Sequence, residues 1–439
     1  MKKLIAILVV FALVAGSIFA ADVGVDVFGN VVLAEGSSAK NAAGDTADAT
    51  AGGEMTRVRI QASGENEDGT FGGWLRMQGN YHHDGDNPWD PEQFAVAGWG
   101  YAWWKPIDQF KFQIGSNGSD NFFGLEGVTT WGFYQVAGDV GIISAGNAWG
   151  GSYTGLGANF RQAFYGGFDN GAIFTITPMD ALAINIAVPF FGDFNGARGE
   201  EVYKHFVAQV AYDIDGIGKA GLTYRGGMNK LSFDLGDPTN PAWEGPSYGG
   251  SGSTLFAYFG LTAVENLGVD IGLGFTFPVS EEIDLGPVGK KKVTYNAPLA
   301  VGLGLTFNAD ALGVKARVLA TFAGKGDVDI SNVDPIEEPL NMLFDIMPYY
   351  AIDDSLTVHL SAGIGLAGER KEWKYDGAVV KEKEDSVMAW HVHPYITIKS
   401  SWWAPNFYAG FRLESDGSKD EKGDKYVNWS IPLGIAFSF

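Results

Sequence analysis

The 439-residue chain has no cysteine. That excludes a disulfide framework, cysteine-ligated zinc, iron–sulfur clusters, a thiol nucleophile and lipid attachment to an N-terminal cysteine. Beyond its first twenty residues it also lacks any uninterrupted apolar run near the roughly 18 residues of a spanning helix. Basic residues are scarce: 30 Lys and Arg stand against 52 Asp and Glu, for a formal net charge of −22. Neutralising phosphate needs clustered Lys and Arg, so nucleic acid is excluded as a partner. Also missing are G-x-S-x-G, H-E-x-x-H, a phosphate-binding P-loop and a Rossmann fingerprint. Six histidines outside any local catalytic motif give no grounds to expect an enzyme, a metal centre or a cofactor.

What is abundant points elsewhere. The chain carries 62 glycines, 30 Phe and 13 Trp. Met1–Ala20 reads as a secretory signal, with Lys2 and Lys3 before the apolar run Leu4–Val14 and a cut expected before Ala21. After it the chain repeats one pattern. Runs near the 9–11 residues of a tilted membrane strand alternate apolar and small or polar side chains. Trp429–Phe439 puts Trp429, Ile431, Leu433, Ile435, Phe437 and Phe439 on one face, with Ser430, Gly434, Ala436 and Ser438 on the other. Val269–Phe277, Leu299–Phe307, Leu356–Leu366 and Phe407–Leu413 do the same. Asp22–Leu33, Thr130–Ala145 and Ala158–Gly166 are expected as further strands.

Tight turns punctuate the runs at Ile107–Phe110, Met179–Leu182, Ile214–Ile217, Val264–Leu267, Ala309–Leu312, Ile352–Leu356 and Ala404–Phe407. Glu65–Thr70 and Val136–Val140 are expected to add two more. Most place Asp or Asn after an apolar residue, where these side chains cap their own backbone. Long, polar, acidic connections alternate with them, among them Ala34–Gly53, His82–Gln93, Gly226–Ser253, Gly324–Asn341 and Gly368–Ser386. The spacing gives about 20 strands, or 16 or 18 where short runs merge.

Opposite the apolar faces lie Arg57, Arg59, Gln61, Arg76, Gln78, Asn80, Lys111, Gln113, Gln209, Arg225, Lys315, Arg317, His359, His391, His393, Lys399 and Arg412. Fewer acids share that face, with Asp26, Asp345 and Glu414 the clearest. A lipid-facing Lys or Arg costs about 2–4 kcal/mol at the bilayer midplane, so such a face requires a hydrated interior. Two readings of the basic wall stay open. It tunes a pore toward anions, or its bases pair with acidic loops folded into the barrel. Gly324–Asn341, with Asp327, Asp329, Asp334, Glu337 and Glu338, is the candidate constriction loop.

Trp99, Tyr101, Trp103, Trp104, Trp402 and Trp403 crowd strand ends and read as a membrane-interface girdle; the sharper alternative is a stacking path for sugars. Asp84, Asp86, Asn87, Asp90 and Glu92 form a calcium-like acidic loop without the EF-hand glycine, so solvated acidity is the simpler reading. His391 and His393 share a face and could hold a metal with a third ligand, or serve as polar lining.

The signal peptide, the repeating hairpins and the terminal Phe439 together resemble the bacterial outer-membrane porins, over nearly the whole chain. The expected fold is all-β, a transmembrane antiparallel up-and-down β-barrel of about 16–20 strands, with residues 1–20 a signal peptide and 21–439 one barrel domain. The resemblance implies passive diffusion of small hydrophilic solutes across the outer membrane, a lipid bilayer environment and a homotrimer. It also implies that the barrel-assembly machinery reads the last strand, with Phe439 as the assembly signal. Other classes left open are a substrate-specific transporter for sugars or fatty acids and a non-conducting adhesin or structural barrel.

Overall fold

A computed structural model describes residues 20–82, 94–116, 170–191, 206–226, 231–234, 247–250, 252–284, 289–296, 299–322, 324–328, 335–338, 340–369, 371–375, 378–381, 383, 385–399, 406–415 and 417–438. Nineteen strand segments join in one antiparallel sheet. In chain order the wall strands are β1 (Ala20–Ser37), β2 (Thr50–Glu65), β3 (Phe71–His82), β4 (Phe94–Ile107), β5 (Phe110–Ser116) and β6 (Asn170–Met179). Next come β7 (Leu182–Phe191), β8 (Val207–Ile214), β9 (Gly218–Arg225), β10 (Thr254–Val264), β11 (Leu267–Thr276) and β12 (Leu299–Ala309). The last are β13 (Leu312–Phe322), β14 (Asn341–Ala351), β15 (Leu356–Ala367), β16 (Val387–Lys399), β17 and β18 (Asn428–Ser438).

Strand β17 comprises two of the nineteen segments, Asn406–Gly410 and Arg412–Ser415. Both pair with β16 and with β18, and the register is the same on either side of Phe411. The break has a local cause. Phe411 donates its N–H to the Pro394 carbonyl at 3.0 Å, and Pro394 has no N–H to return. Nineteen segments less this one division leave eighteen wall strands.

The wall closes on itself. β1 pairs with β18 from Asp26 opposite Ser438 to Ser37 opposite Asn428, with one register shift between Val32 and Glu35. Eighteen lies within the expected range of 16–20. β5 pairs directly with β6, so no wall strand stands between them. The strands expected at Thr130–Ala145 and Ala158–Gly166, and the turn at Val136–Val140, lie outside the described residues. So do most of the signal peptide, the acidic loop Asp84–Glu92, Trp402, Trp403 and Phe439.

The short turns fall where their residues demand. Asn266 and Asp310 take left-handed backbone conformations, φ 63° and 49°, which Asn and Asp tolerate better than other side chains. At Ile352–Leu356, Asp353 Oδ1 accepts the N–H groups of Ser355 and Leu356, each at 2.8 Å, and the Ser355 hydroxyl at 2.7 Å. These bonds hold the exposed Asp353 carboxyl below the usual carboxylate range, the hydroxyl contributing most.

Side-chain parity follows from closure. Ile271, Leu273, Leu303, Leu305, Phe344, Ile364, Leu366 and Ile396 are exposed on the outer surface, and polar partners occupy the alternate positions. With no competing donors in hydrocarbon, only a closed sheet satisfies every backbone group, and only an apolar outer belt suits lipid.

On the long-loop side the wall continues upward. Val279–Asp284, Lys290–Asn296, Gly324–Val328 and Ile336–Glu338 form a four-stranded sheet. Its order repeats that of β11, β12, β13 and β14, which lead into these strands. Across the closing seam the first and last loops interlock. Asn41 to Asp45 and Asp420 to Asp424 form twin turns, with Gly44 at φ 94° and Gly423 at φ 84°. In each, the side-chain oxygen of the leading Asn or Asp accepts two backbone N–H groups. Between the turns, Lys40 N–H donates to Asp420 Oδ2 at 2.8 Å, and Ala42 N–H to Glu421 Oε2 at 2.5 Å.

Two predictions follow from closure and clasp. Leu303→Arg on the outer face is expected to destabilise the barrel by about 2–4 kcal/mol, read from denaturant unfolding out of lipid vesicles. For the clasp, the Lys40 N–H leads the bonds that hold the Asp420 carboxyl below its ordinary range. A depressed carboxylate stabilises above its unfolded pKa, and that contribution is lost as pH falls through the folded value. With no native cysteine to interfere, spin labels at Ala43→Cys and Lys422→Cys should report a narrow distance at neutral pH. The distance should broaden in acid, and Asp420→Asn should broaden it at both pH values.

Candidate functional site: the lumenal wall

Each wall strand sends every second side chain inward, and the hairpin registers set these side chains in rows across the sheet. On β2 and β3, Arg59 Nε and Nη2 donate to Gln78 Oε1 at 3.0 and 2.8 Å. Arg76 does the same to Gln61 Oε1 at 3.1 and 2.8 Å, and Gln61 donates onward to Asp26 Oδ2 at 2.7 Å. From β6 to β9 a chain of amides and hydroxyls runs Thr175, Asn185, Gln209, Thr223, with links of 2.8, 3.0 and 3.1 Å. Buried polar atoms need such partners, and a row of them fixes the inner surface.

The β13–β17 arc is more deeply buried. One ladder row runs Gly304, Arg317, Asp345, Gly363, His391, Glu414. Arg317 and Asp345 have fully buried side chains. Arg317 Nε donates to Asp345 Oδ2 at 2.7 Å, and Nη2 makes an ion contact with the same oxygen at 2.7 Å. Gly363 matters for space, because a Cβ there would run into the Asp345 carboxylate and the His391 ring. Arg412 forms a second ion pair, with Glu414.

Histidine and tyrosine fill the neighbouring rows. His391 Nε2 lies 3.3 Å from Ser361 Oγ, and His393 Nε2 lies 2.6 Å from the Tyr408 hydroxyl. His359 Nε2 meets Thr397 Oγ1 at 3.0 Å, and its ring stacks on Tyr395 with centroids 4.5 Å apart and planes 7° apart. Tyr395 donates to Met347 Sδ at 3.1 Å. His391 and His393 are therefore engaged as lining. Among the described residues no group of three candidate ligands could hold a metal ion.

The residues expected in the lumen divide as follows. Arg59, Arg76, Lys111, Arg225, Lys315, Arg317, His359, His391, His393 and Arg412 lie on strand positions opposite the apolar face. Arg57 and Lys399 lie on β2 and β16, but their side chains fall outside the described set. Arg317 and Arg412 have carboxylate partners on the wall itself.

The candidate constriction loop is described only in part. Gly324–Val328 pairs with Lys290–Asn296, with Asp327 opposite Thr294, and Ile336–Glu338 pairs in turn with Gly324–Val328. These strands continue the wall, so the described part of Gly324–Asn341 is spent on ladder bonds. Asp327 forms an ion pair with Lys325 at 3.6 Å, and exposed Glu337 with Lys371 at 2.7 Å. Glu338 belongs to the same strand as Glu337, whereas Asp329 and Asp334 lie outside the described residues.

The aromatic girdle is corrected in part. Trp104 is 52% exposed on the outer face, as a girdle residue should be. Tyr101 and Trp103 have the opposite parity and face the lumen. Trp74 sits 5.4 Å from Tyr101, ring to ring. Arg76 lies over the Trp74 ring at 5.0 Å and the Lys111 ammonium over Trp103 at 5.2 Å. Sequence reasoning missed Ser361, Gly363, Tyr395, Tyr408 and Gly410. Their parity, shared with the inward histidines and arginines of the same strands, was the available signal.

Removing one member of a buried ion pair leaves an uncompensated charge, at a cost of about 3–5 kcal/mol. Asp345→Leu is expected to destabilise the folded barrel by that amount in equilibrium unfolding from vesicles. Adding Arg317→Met should recover most of it. A single variant as stable as the parent would show that the pair is not the anchor of this arc.

No protein-family model matches the chain, and no curated protein matches it in sequence. Solved structures do. Salmonella typhi OmpF, in complex with daunomycin, is 14% identical with a TM-score of 0.48, covering 95% of this chain and 97% of its own. An anion-selective porin from Comamonas acidovorans is 11% identical with a TM-score of 0.44, covering 95% of this chain and 100% of its own. The Pseudomonas aeruginosa outer-membrane protein OpdK is 9% identical with a TM-score of 0.45, covering 95% and 99%. By its closed sheet, its outward apolar belt and the asymmetry of its turns, this chain has the architecture of a transmembrane β-barrel.

Proposed function

We propose that the protein is a water-filled channel for passive diffusion of small hydrophilic solutes or ions across the bacterial outer membrane. One observation carries the reading: charged and polar side chains line the inward face on β2–β9 and β13–β17, with glycines and Phe256 and Tyr258 between them, while the outward face is apolar. Eighteen strands form a wall of the size class that leaves an aqueous lumen in porins. Charged groups such as Arg59, Arg76 and Lys111 are half-buried there, which suits a hydrated interior and not a dry one. Export by the Met1–Ala20 signal, recognition of the final strand by the barrel-assembly machinery, and homotrimer formation belong to the same proposal. No catalytic role is assigned.

Lumen-facing Trp74, Tyr101 and Trp103 favour a second reading, a substrate-specific transporter that stacks sugars. Against it, cations already lie over Trp74 and Trp103, and a stacked sugar would have to displace them.

Purified protein reconstituted in planar bilayers should give stepwise conductance that rises with salt without saturating, and neutral-solute exclusion should size the pore. Silence at high salt would favour a structural or adhesive barrel. Saturable flux of one sugar would favour the transporter.

A further inference from the structure

The lumenal cations are not equivalent. Arg59 and Arg76 donate to Gln78 and Gln61, Arg317 and Arg412 pair with Asp345 and Glu414, and Arg225 is also engaged. Lys105 is offset by Asp108 at 3.1 Å and Lys219 by Asp213 at 3.7 Å. Lys111 and Lys315 differ. Among the described residues neither has a carboxylate within ion-pair distance. Lys111 rests over the Trp103 ring at 5.2 Å, an arrangement that holds an ammonium without cancelling its charge. Opposite Lys315 on the two flanking strands stand Thr306 and Met347, neither of them charged.

Their positions in the wall are also paired. Lys111 is the second residue of β5 and Lys315 the fourth of β13, each just after a short turn, so both stand at the same end of the lumen. β5 and β13 are eight places apart in the ring of eighteen, close to diametrically opposite. Two uncompensated ammonium groups therefore bracket the short-turn mouth from opposite sides. The acids on the lumen-side parity near this end are Asp22 and Asp26 on β1, Glu65 on β2, Asp213 on β8, which pairs with Lys219, and Asp270 on β11. Asp26 accepts a hydrogen bond from Gln61, and Asp270 is engaged. Asp22 and Glu65 are exposed.

We propose that Lys111 and Lys315 are the ion-selecting pair of the channel, drawing small anions such as chloride, phosphate and simple carboxylates through the short-turn mouth. The inference rests on the channel reading above and adds a determinant to it. A fixed charge matters for selection in proportion to how little of it is neutralised locally. By that criterion Arg317 and Arg412, each beside a carboxylate, contribute little, and the two lysines and the exposed Asp22 and Glu65 set opposing biases.

The test is the reversal potential of reconstituted channels in a potassium chloride gradient. Lys111→Gln/Lys315→Gln should lower the chloride-to-potassium permeability ratio by about twofold or more. Glu65→Gln should raise it. Lys290→Gln, on a hairpin strand above the wall, should leave it unchanged and serves as the folding and charge control. A ratio unchanged in the double lysine variant, with conductance intact, overturns the pair while leaving the channel reading in place. Loss of the effect in high salt supports it, because screening weakens such a bias. Absence of conductance in the parent protein would overturn the channel reading, and this inference with it.

Discussion

Everything in this protein depends on one requirement of a bilayer: no backbone N–H or C=O group in its core can be left without a partner. Pairing of β1 with β18, from Asp26–Ser438 to Ser37–Asn428, meets it at the one place where no hairpin could. Every other wall contact joins strands consecutive along the wall, whereas this one joins the two ends of the chain. Once it forms, each strand has two neighbours and one fixed parity. Leu303 must then face lipid because Gly304 faces Arg317 across the ladder. The twin turns Asn41–Asp45 and Asp420–Asp424 bind the same seam beyond the bilayer, with their carboxylates receiving backbone N–H groups from the opposing loop. Closure in the membrane and clasp outside it are thus two parts of one joint.

Fixed parity explains how an acidic protein can carry arginine in its wall. The acids are mostly in turns, loops and the raised four-stranded sheet, where water solvates them. Inside, the wall supplies its own compensation: Asp345 stands opposite Arg317 in the ladder, and Glu414 lies two residues along β17 from Arg412. Such pairs tolerate burial because the opposite charges offset one another, and a lone charge in the same place would not be tolerated. The glycines on the inner face allow this. Gly363 lets Asp345 and His391 approach across it, and Gly410 does the same for His393 and Tyr395. A strand with a side chain at either position would hold those rows apart.

Much of this was legible because the relevant information is local. Period-two alternation assigned Arg317, His391 and Arg412 to the inner face, and Asp or Asn chemistry marked turns such as Val264–Leu267 and Ala309–Leu312. What alternation cannot give is a partner. Arg317 meets Asp345 only through the register of β13 with β14, and the segment between those strands has its own pairing with neighbouring loops. The acidity of that segment suggests a solvated loop, whereas its ladder contacts with Lys290–Asn296 are non-local. The aromatic cluster failed for a different reason. Crowding near a strand end suggested a girdle, yet parity alone separates Trp104 from Tyr101 and Trp103.

Strand number followed the same division between local and non-local information. Alternating runs within residues 117–169 look like wall strands one by one, and counting them gives about 20. Among the described residues, β5 pairs directly with β6. A run of alternating residues shows only that a strand would have two unlike faces. Whether it joins a barrel depends on whether its neighbours already have partners. Pro394 gives the converse case: two segments that look separate share one register across Phe411, and a single missing N–H accounts for the break. Counting free edges, and not alternating runs, is what yields the even number that returns the chain to the side from which it began.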